Sequence, residues 1–422
     1  MPEKDLARRA VVTGLGAVTP IGNDHPTFWN NLINGVSGAG PITRFDATGF
    51  DVRIAAEVKD FDPTIAIDRK MARRMSRFIH FAMAVAKEAV ADSGLDFSDW
   101  TPEQRDRAAV IINSAGGGVE EIMVGDAVLR EKGPGQVSPF AYPALSASMA
   151  GCLVSMEYGI TVPVINQSAA CATSIIAFLD GLRLIQSGET DVVFAGGSEA
   201  PLLQVGFAAL GNMHALSKRN DDPQGASRPF DRDRDGFVYG EGAGAVILES
   251  AEHALKRGAN IQAELVGAAI TSDAFHISAP DPTGRGAILA MTKAMQDAGV
   301  APDEIDYIAA HGTSTALNDA TETRAIKSAF GAHAHKVAIS SPKSMVGHTI
   351  GAAGVVNALA AIGAIRDGVI APTINLENPD LPELDLDFVP LVARKAKVDT
   401  AMINGFGFGG QNAVAVFRRF VP

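Results

Sequence analysis

Cys171 lies in the run Asn166-Gln167-Ser168-Ala169-Ala170-Cys171-Ala172-Thr173-Ser174, and His311-Gly312-Thr313-Ser314-Thr315 and Lys343-Ser344-Met345-Val346-Gly347-His348 follow far downstream. One thiol, two imidazoles and an amine set among small residues are the parts of a covalent acyl-transfer site. A cysteine sulfur can carry an acyl group as a thioester, and imidazole N–H groups can stabilise charge on a thioester oxygen. A lone cysteine among alanines is otherwise a small buried hydrophobe, and a lone histidine a structural residue. Their joint occurrence is what points to chemistry.

The elements around these residues follow from local pattern. Val162-Pro163-Val164-Ile165 is a short apolar run suited to a buried strand, and Ser174-Ile175-Ile176-Ala177-Phe178-Leu179 opens a helix-compatible pattern. Cys171 is therefore expected at a strand-to-helix turn, where unpaired N–H groups and the helix dipole favour thiolate over thiol. Asp319 and Glu322 follow His311 on an expected helix, three residues apart and so on neighbouring faces.

At 422 residues the chain exceeds one ordinary core, so two domains or a duplicated one are expected. Hydrophobic residues make up 47%, and 43 glycines imply close packing and tight turns in a compact α/β enzyme. Cys152 and Cys171 are the only cysteines, which gives no disulfide framework and suits a reducing compartment. The charged N-terminus runs directly into Val11-Val12 with no secretory pattern, so a cytoplasmic location is expected. The most apolar stretch, residues 351–365, is shorter than a bilayer span and reads as a buried helix.

A net charge of −12 argues against a nucleic-acid partner. One basic run stands out: Arg69, Lys70, Arg73, Arg74 and Arg77 are followed by the apolar Phe78-Ile79-His80-Phe81-Ala82-Met83. Read as one helix, it displays cations on its first turns and packs inward later, a patch able to steer an acidic carrier.

Each half contains an apolar strand ahead of a small-residue turn, leading to Cys171 in one and His311 in the other. Each also contains a glycine-rich turn running into a strand, Gly240 to Glu249 and Gly407 to Phe417. An internal duplication follows, with a boundary between residues 255 and 262 and halves at 1–258 and 259–422. Val11-Val12-Thr13-Gly14-Leu15-Gly16 lacks the third glycine of a dinucleotide loop, since Thr19 occupies that position. Ser340-Ser341-Pro342-Lys343 has S-x-x-K spacing without its companion motifs, and no His/Cys spacing calls for a metal.

From Val11 to about Arg419 the chain resembles the β-ketoacyl-acyl carrier protein synthases of type II, decarboxylating condensing enzymes of the thiolase superfamily. The resemblance rests on Ala170-Cys171-Ala172-Thr173-Ser174, the segment Asp191 to Glu199, Arg228-Pro229-Phe230-Asp231-Arg232, the segment Gly236 to Gly242, His311 to Thr315, Lys343 to His348 and Asn404 to Gly410. It implies an α/β, five-layered αβαβα fold with two pseudo-duplicated halves, and a homodimer. It further implies that Cys171 holds an acyl chain delivered by an acyl carrier protein, and that malonyl thioester is decarboxylated to an enolate which attacks it. By the same resemblance the N–H groups of Cys171 and Phe408 form an oxyanion hole, Phe408 is the gate and Phe406 its neighbour. His311 and His348 stabilise the enolate oxygen, Lys343 orients His311 and Glu322 through hydrogen bonds and charge, and Thr313 and Thr315 bind the phosphopantetheine arm. Lys70, Arg73 and Arg74 meet the carrier protein. No cofactor or metal is implied, since the phosphopantetheine arrives on the partner; neither nucleic acid nor membrane is.

Two positions depart from the family pattern. Ala169 replaces a common threonine before Ala170-Cys171, and Gly116 stands where relatives often place a larger apolar residue lining the acyl pocket near the dimer interface. The missing side chain at Gly116 predicts tolerance of long or bulky acyl chains. Fatty-acid elongation is the main expectation; the alternatives are a ketosynthase of a polyketide or specialised lipid pathway, and a non-catalytic chain-length-factor-like subunit, against which Cys171 argues.

Overall fold

The computed structural model describes residues 6–422. Among these, nine strands join in one mixed sheet: β1 (Ala10–Val18), β2 (Ala108–Asn113), β3 (Val192–Glu199), β4 (Gly242–Ser250), β5 (Ala263–Ser272), β6 (Tyr307–Ala309), β7 (Ala338–Ser340), β8 (Thr400–Gly407) and β9 (Gln411–Arg418). Their order is β2-β3-β4-β1-β5-β9-β8-β6-β7. The seam between β1 and β5 is short, running only from Ala10↔Leu265 to Val12↔Ala263. Read outward from that seam, each side gives two antiparallel pairings and then a parallel one.

β7 pairs in parallel beside β6. Its counterpart on the other side is the segment expected as a strand at Val162–Ile165, which makes only one parallel bridge, Val110↔Val164. Pro163 explains the reduction: it has no N–H to give a ladder, although its carbonyl accepts from Val110 and Ile165 donates to the Val110 carbonyl.

Beyond the seam the two sheet halves diverge around a pair of buried helices, α2 (Thr173–Ser187) and α5 (Ala353–Asp367), numbered after α1 (Arg77–Ser93) and on either side of α3 (Arg285–Ala298) and α4 (Ala316–Phe330). Strand alternation separates the layers. Val193 and Ala195 of β3 face the central core while Val192 and Phe194 face the α1 side. Ala401 and Ile403 of β8 join that same central core, and Met402 faces the α3 and α4 side. The result is α1, sheet, α2 with α5, sheet, α3 with α4, the five-layered αβαβα arrangement expected. The apolar stretch 351–365 is the buried helix α5, whose residues from Ala353 to Ile365 are all inside.

The two central helices touch closely near their starts. A Cβ on Gly354 would fall 2.4 Å from Ile175, and the Val355 N–H donates to Ser174 Oγ at 2.9 Å. This contact fixes the segment before α2, which carries Cys171, against the segment before α5, which carries His348.

The basic run is not one helix. It forms Arg69–Ala72, capped by Asp68 through the N–H groups of Lys70 and Met71, and then α1, with a turn between them. Arg77 is drawn away from the patch to Glu241 at 2.9 Å, and Arg74 stacks on Phe140 at 4.3 Å. Lys70 and Arg73 remain exposed.

Candidate active site

Cys171 sits in the single-turn helix Ala170–Ala172 immediately ahead of α2. Ala170 takes a left-handed φ of 48°, a conformation held only by its surroundings. Thr173 supplies the restraint: its Oγ1 donates to the Ala170 carbonyl at 2.7 Å and accepts the Ala169 N–H at 2.9 Å. Ala169, the departure from the family pattern, packs into the central core, and the sulfur still faces the cavity.

His348 Nε2 lies 3.0 Å from Cys171 Sγ. The other ring nitrogen, Nδ1, accepts the Ile350 N–H at 3.2 Å, so the proton resides on Nε2 and His348 donates to the sulfur. His311 meets His348 edge to face, ring centroids 5.5 Å apart, and also packs against Phe406. The reactive atoms of Cys171, His311 and His348 all lie within 4.8 Å of one another and are buried. That spacing would suit a metal, but a ligating histidine turns a lone pair to the ion and donates from its other nitrogen; His348 does the reverse.

Both acids of α4 are buried and bind backbone. Glu322 accepts the N–H groups of His311 at 2.8 Å and Gly312 at 2.7 Å, and Asn404 Nδ2 at 3.1 Å. Asp319 accepts the N–H groups of Thr313 at 3.0 Å and Phe230 at 2.9 Å. They fix the loop that carries His311. Lys343 differs from expectation: its ammonium is buried and makes no hydrogen bond among the described residues. Its influence on Glu322 and Cys171 is electrostatic.

Burial governs the charges here. It lowers Lys343 to about 8, against the pull of Cys171, Glu322 and Asp319. Burial, then the Lys343 charge, holds His311 and His348 well below the usual imidazole range. Glu322 is raised by burial, and Asp319 to about 6. Burial also pushes the Cys171 thiol up to about 11, against Lys343 and the N–H groups of Phe408 and Cys171 itself. Burial thus opposes the thiolate expected at the helix end, while the Lys343 charge and the nearby N–H groups favour it.

The backbone N–H groups of Phe408 and Cys171 lie on the sulfur's side of the turn and favour its charged form. Gly407 allows this approach, since a Cβ there would fall 2.7 Å from the Ala169 carbonyl oxygen and 3.0 Å from Cys171 N. Beyond it Phe408 is 38% exposed, in a turn tied to a neighbouring loop by Gly409 N–H to the Ile277 carbonyl and Asp273 N–H to the Gly410 carbonyl.

A cavity of about 380 Å³ brings together Cys171, His311, His348, Phe406, Phe408, Thr313 and Thr315. Arg234, Asp235, Asp273, Met213 and Leu317 also line it, none assigned from sequence. Arg234 and Asp235 lie between the Arg228–Arg232 and Gly236–Gly242 motifs, which was the available signal. Lys343 and Glu322 stand behind the lining. Lys70, Arg73 and Arg74 lie apart from the cavity, and so does Gly116. It sits in an exposed turn whose N–H donates to the buried Glu199 at 3.0 Å, so one chain alone does not place it on this pocket.

Known proteins match both halves of the chain. The family model "Beta-ketoacyl synthase, N-terminal domain" matches residues 7–254 and "Beta-ketoacyl synthase, C-terminal domain" matches residues 262–377. The chain is 48% identical to 3-oxoacyl-[acyl-carrier-protein] synthase 2 of Synechocystis sp., covering 98% of each chain. It is 46% identical to the Coxiella burnetii protein of the same name, covering 98% of this chain and 99% of that one. Among solved structures it resembles a ketosynthase of a type II PKS in complex with its acyl-carrier protein, with a TM-score of 0.90 and 34% identity over 98% of this chain and 100% of that one. A β-ketoacyl synthase from Burkholderia phymatum gives a TM-score of 0.89 and 33% identity, with the same coverage. With both halves matched and the thiol, imidazoles and glycine turn meeting in one cavity, the chain belongs to the β-ketoacyl synthase family.

Proposed function

We propose that the protein is a 3-oxoacyl-acyl carrier protein synthase that elongates fatty-acyl chains by two carbons. The observation that carries this is the Cys171 sulfur, 3.0 Å from a donating His348 Nε2 in a cavity that His311 and Phe408 also line.

In the first step Cys171 Sγ bonds to the thioester carbonyl carbon, and the oxyanion rests on the N–H groups of Cys171 and Phe408. The C–S bond to the carrier arm then breaks, and the arm leaves as a thiol with the cysteine proton. In the second step the malonyl thioester loses CO₂ and its C–C electrons become an enolate. His348 Nε2–H and His311 stabilise that oxygen; the low imidazole pKa values keep both rings neutral, so they serve as donors. The enolate carbon attacks the acyl thioester, a C–C bond forms, and the sulfur departs. Lys343 adds positive potential without contact, and Glu322 holds the His311 loop.

Thr313 and Thr315 take the phosphopantetheine arm, which comes on the carrier, so the enzyme has no cofactor of its own. The exposed Lys70 and Arg73, with Arg74, receive the acidic carrier. A homodimer is supported by the helix Val119–Lys132, which buries none of its residues and exposes Ile122, Val124 and Leu129 beside Gly116. Two free cysteines suit the cytoplasm. The likeness to a type II PKS ketosynthase supports a second reading, condensation in a polyketide pathway.

The test is intact-mass analysis of the protein incubated with acyl carrier proteins of graded chain length, then with malonyl carrier protein. Acyl mass gained on Cys171 and released as a product two carbons longer is the expected outcome. No adduct from any fatty-acyl donor would sink fatty-acid elongation, and an adduct only from polyketide donors would select the second reading.

A further inference from the structure

The turn 312–315 bearing the two threonine hydroxyls is strained. Gly312 at φ 37° and Ser314 at φ 68° both occupy the left-handed region, which a serine adopts only when its neighbours enforce it. On one side Asp319 accepts the Thr313 N–H, and the Gly236 N–H donates to the Ser314 carbonyl at 3.0 Å. On the other side stands Arg234, its side chain only 5% exposed.

Each arm of that guanidinium has a carbonyl or carboxylate partner. Nε donates to the Thr315 carbonyl at 3.2 Å and Nη2 to the Ala316 carbonyl at 3.3 Å. Nη1 donates to the Asp231 carbonyl and to Asp380 Oδ2, both at 2.8 Å. Asp319, 3.8 Å away, supplies counter-charge. Such a fork cannot be reproduced by the single point charge of lysine. The clamped turn sets Thr313 Oγ1 and Thr315 Oγ1 2.9 Å apart on the cavity wall, and Arg234 makes no hydrogen bond to Cys171, His311 or His348.

We propose that Arg234 is a positioning residue that sets the Thr313 and Thr315 hydroxyls where they take the amide groups of a carrier-bound substrate arm. The assignment rests on the thioester chemistry proposed above. It concerns recognition of the arm, not reaction at the sulfur.

The test uses intact wild-type protein, Arg234→Lys and Arg234→Gln with three probes of Cys171: hexanoyl-pantetheine, the amide-free S-ethyl hexanethioate, and iodoacetamide. In both variants the rate of acylation by hexanoyl-pantetheine falls about tenfold, as expected for misplacing two hydrogen bonds to the arm. Rates with the ethyl thioester and iodoacetamide stay within about twofold, because neither probe carries the arm. Equal losses with both thioesters, or no loss with either, would overturn the proposal. Should Arg234→Gln fail to fold, Asp380→Asn removes only the outer, partly exposed partner and gives a smaller loss in the same selective sense; an unselective loss there counts against the proposal too. Wild-type protein that is alkylated but never acylated by hexanoyl-pantetheine would instead overturn the thioester reaction, and the role of Arg234 with it.

Discussion

Asp92 and Asp297 occupy matching positions in the two halves: Asp92 Oδ2 accepts the Leu15 N–H of β1 at 2.9 Å, and Asp297 Oδ2 accepts the Ala268 N–H of β5 at 3.0 Å. Each acid ends the outer helix packed on its strand and stands two residues before a left-handed glycine, Gly94 or Gly299. Each donor strand passes its helix through a glycine, where a Cβ would meet Ala89 O at 2.0 Å for Gly14 and Ala298 N at 2.3 Å for Gly267. The sheets diverge past the seam, leaving these edge N–H groups without a strand partner, and the carboxylates replace it. On this equivalence we propose residues 1–258 and 259–422 as duplicated units.

Deleting either carboxylate should therefore destabilise the fold through one mechanism. Asp92→Ala and Asp297→Ala each leave a strand N–H without its acceptor, a loss of about 1–3 kcal/mol in a urea midpoint measurement. The Asp92 variant loses more, because that carboxylate also binds Gln262 Nε2 at 2.8 Å. Unchanged midpoints in both would refute the substitution of carboxylate for strand.

How much of this was legible in the sequence depended on range. The Cys171 turn and helix 351–365 could be read because periodicity and small residues are local signals. The strand at 162–165 failed on one proline, whose missing donor outweighs the apolar run. Spacing put Asp319 and Glu322 on a helix, yet could not show that both reach back to the loop before it. The Lys343 hydrogen bonds were expected and are not made among the described residues, since reach within a buried site depends on where four segments end up. Arg234 contacts Ala316 across 82 residues, a relation no local pattern carries.

Replacing Lys343 by methionine should separate stability from activity. The folded state lowers this amine from 10.5 to about 8, so below pH 8 the protein carries the full penalty of a buried cation. Between pH 8 and 10.5 the unfolded chain binds the extra proton, and stability from this group rises with pH. Lys343→Met removes the penalty and is more stable at pH 7 by about 2 kcal/mol, while malonyl decarboxylation slows. Parallel urea titrations at pH 7 and pH 9.5 check the sign: the gain shrinks at the higher pH.

Glu322→Gln should damage decarboxylation more than acyl loading. The amide turns an NH₂ toward one of the two backbone donors at His311 and Gly312, displacing the His311 loop without touching Cys171. A fall of about 100-fold in CO₂ release is expected, the scale of losing one oxyanion donor. Acylation of Cys171 by intact mass should change far less. Parallel losses in both half-reactions would mean that Glu322 supports the whole site.

Gly116 offers a test of the assembly as well as of chain length. It is exposed in the single chain, yet its turn is fixed by Glu199 through Ser114, Ala115 and Gly116, and it abuts the uncovered helix Val119–Lys132. If a second copy covers that helix, the space left by the missing side chain becomes part of an acyl pocket closed by the dimer. Gly116→Phe should then shift donor preference toward short chains in a competition of acyl carrier proteins, while leaving iodoacetamide alkylation of Cys171 unchanged. Ile122→Glu on the same helix should yield monomers in sedimentation and lose long-chain donors first. A Gly116→Phe protein that accepts long chains as readily as the parent would show that this turn does not limit the acyl group.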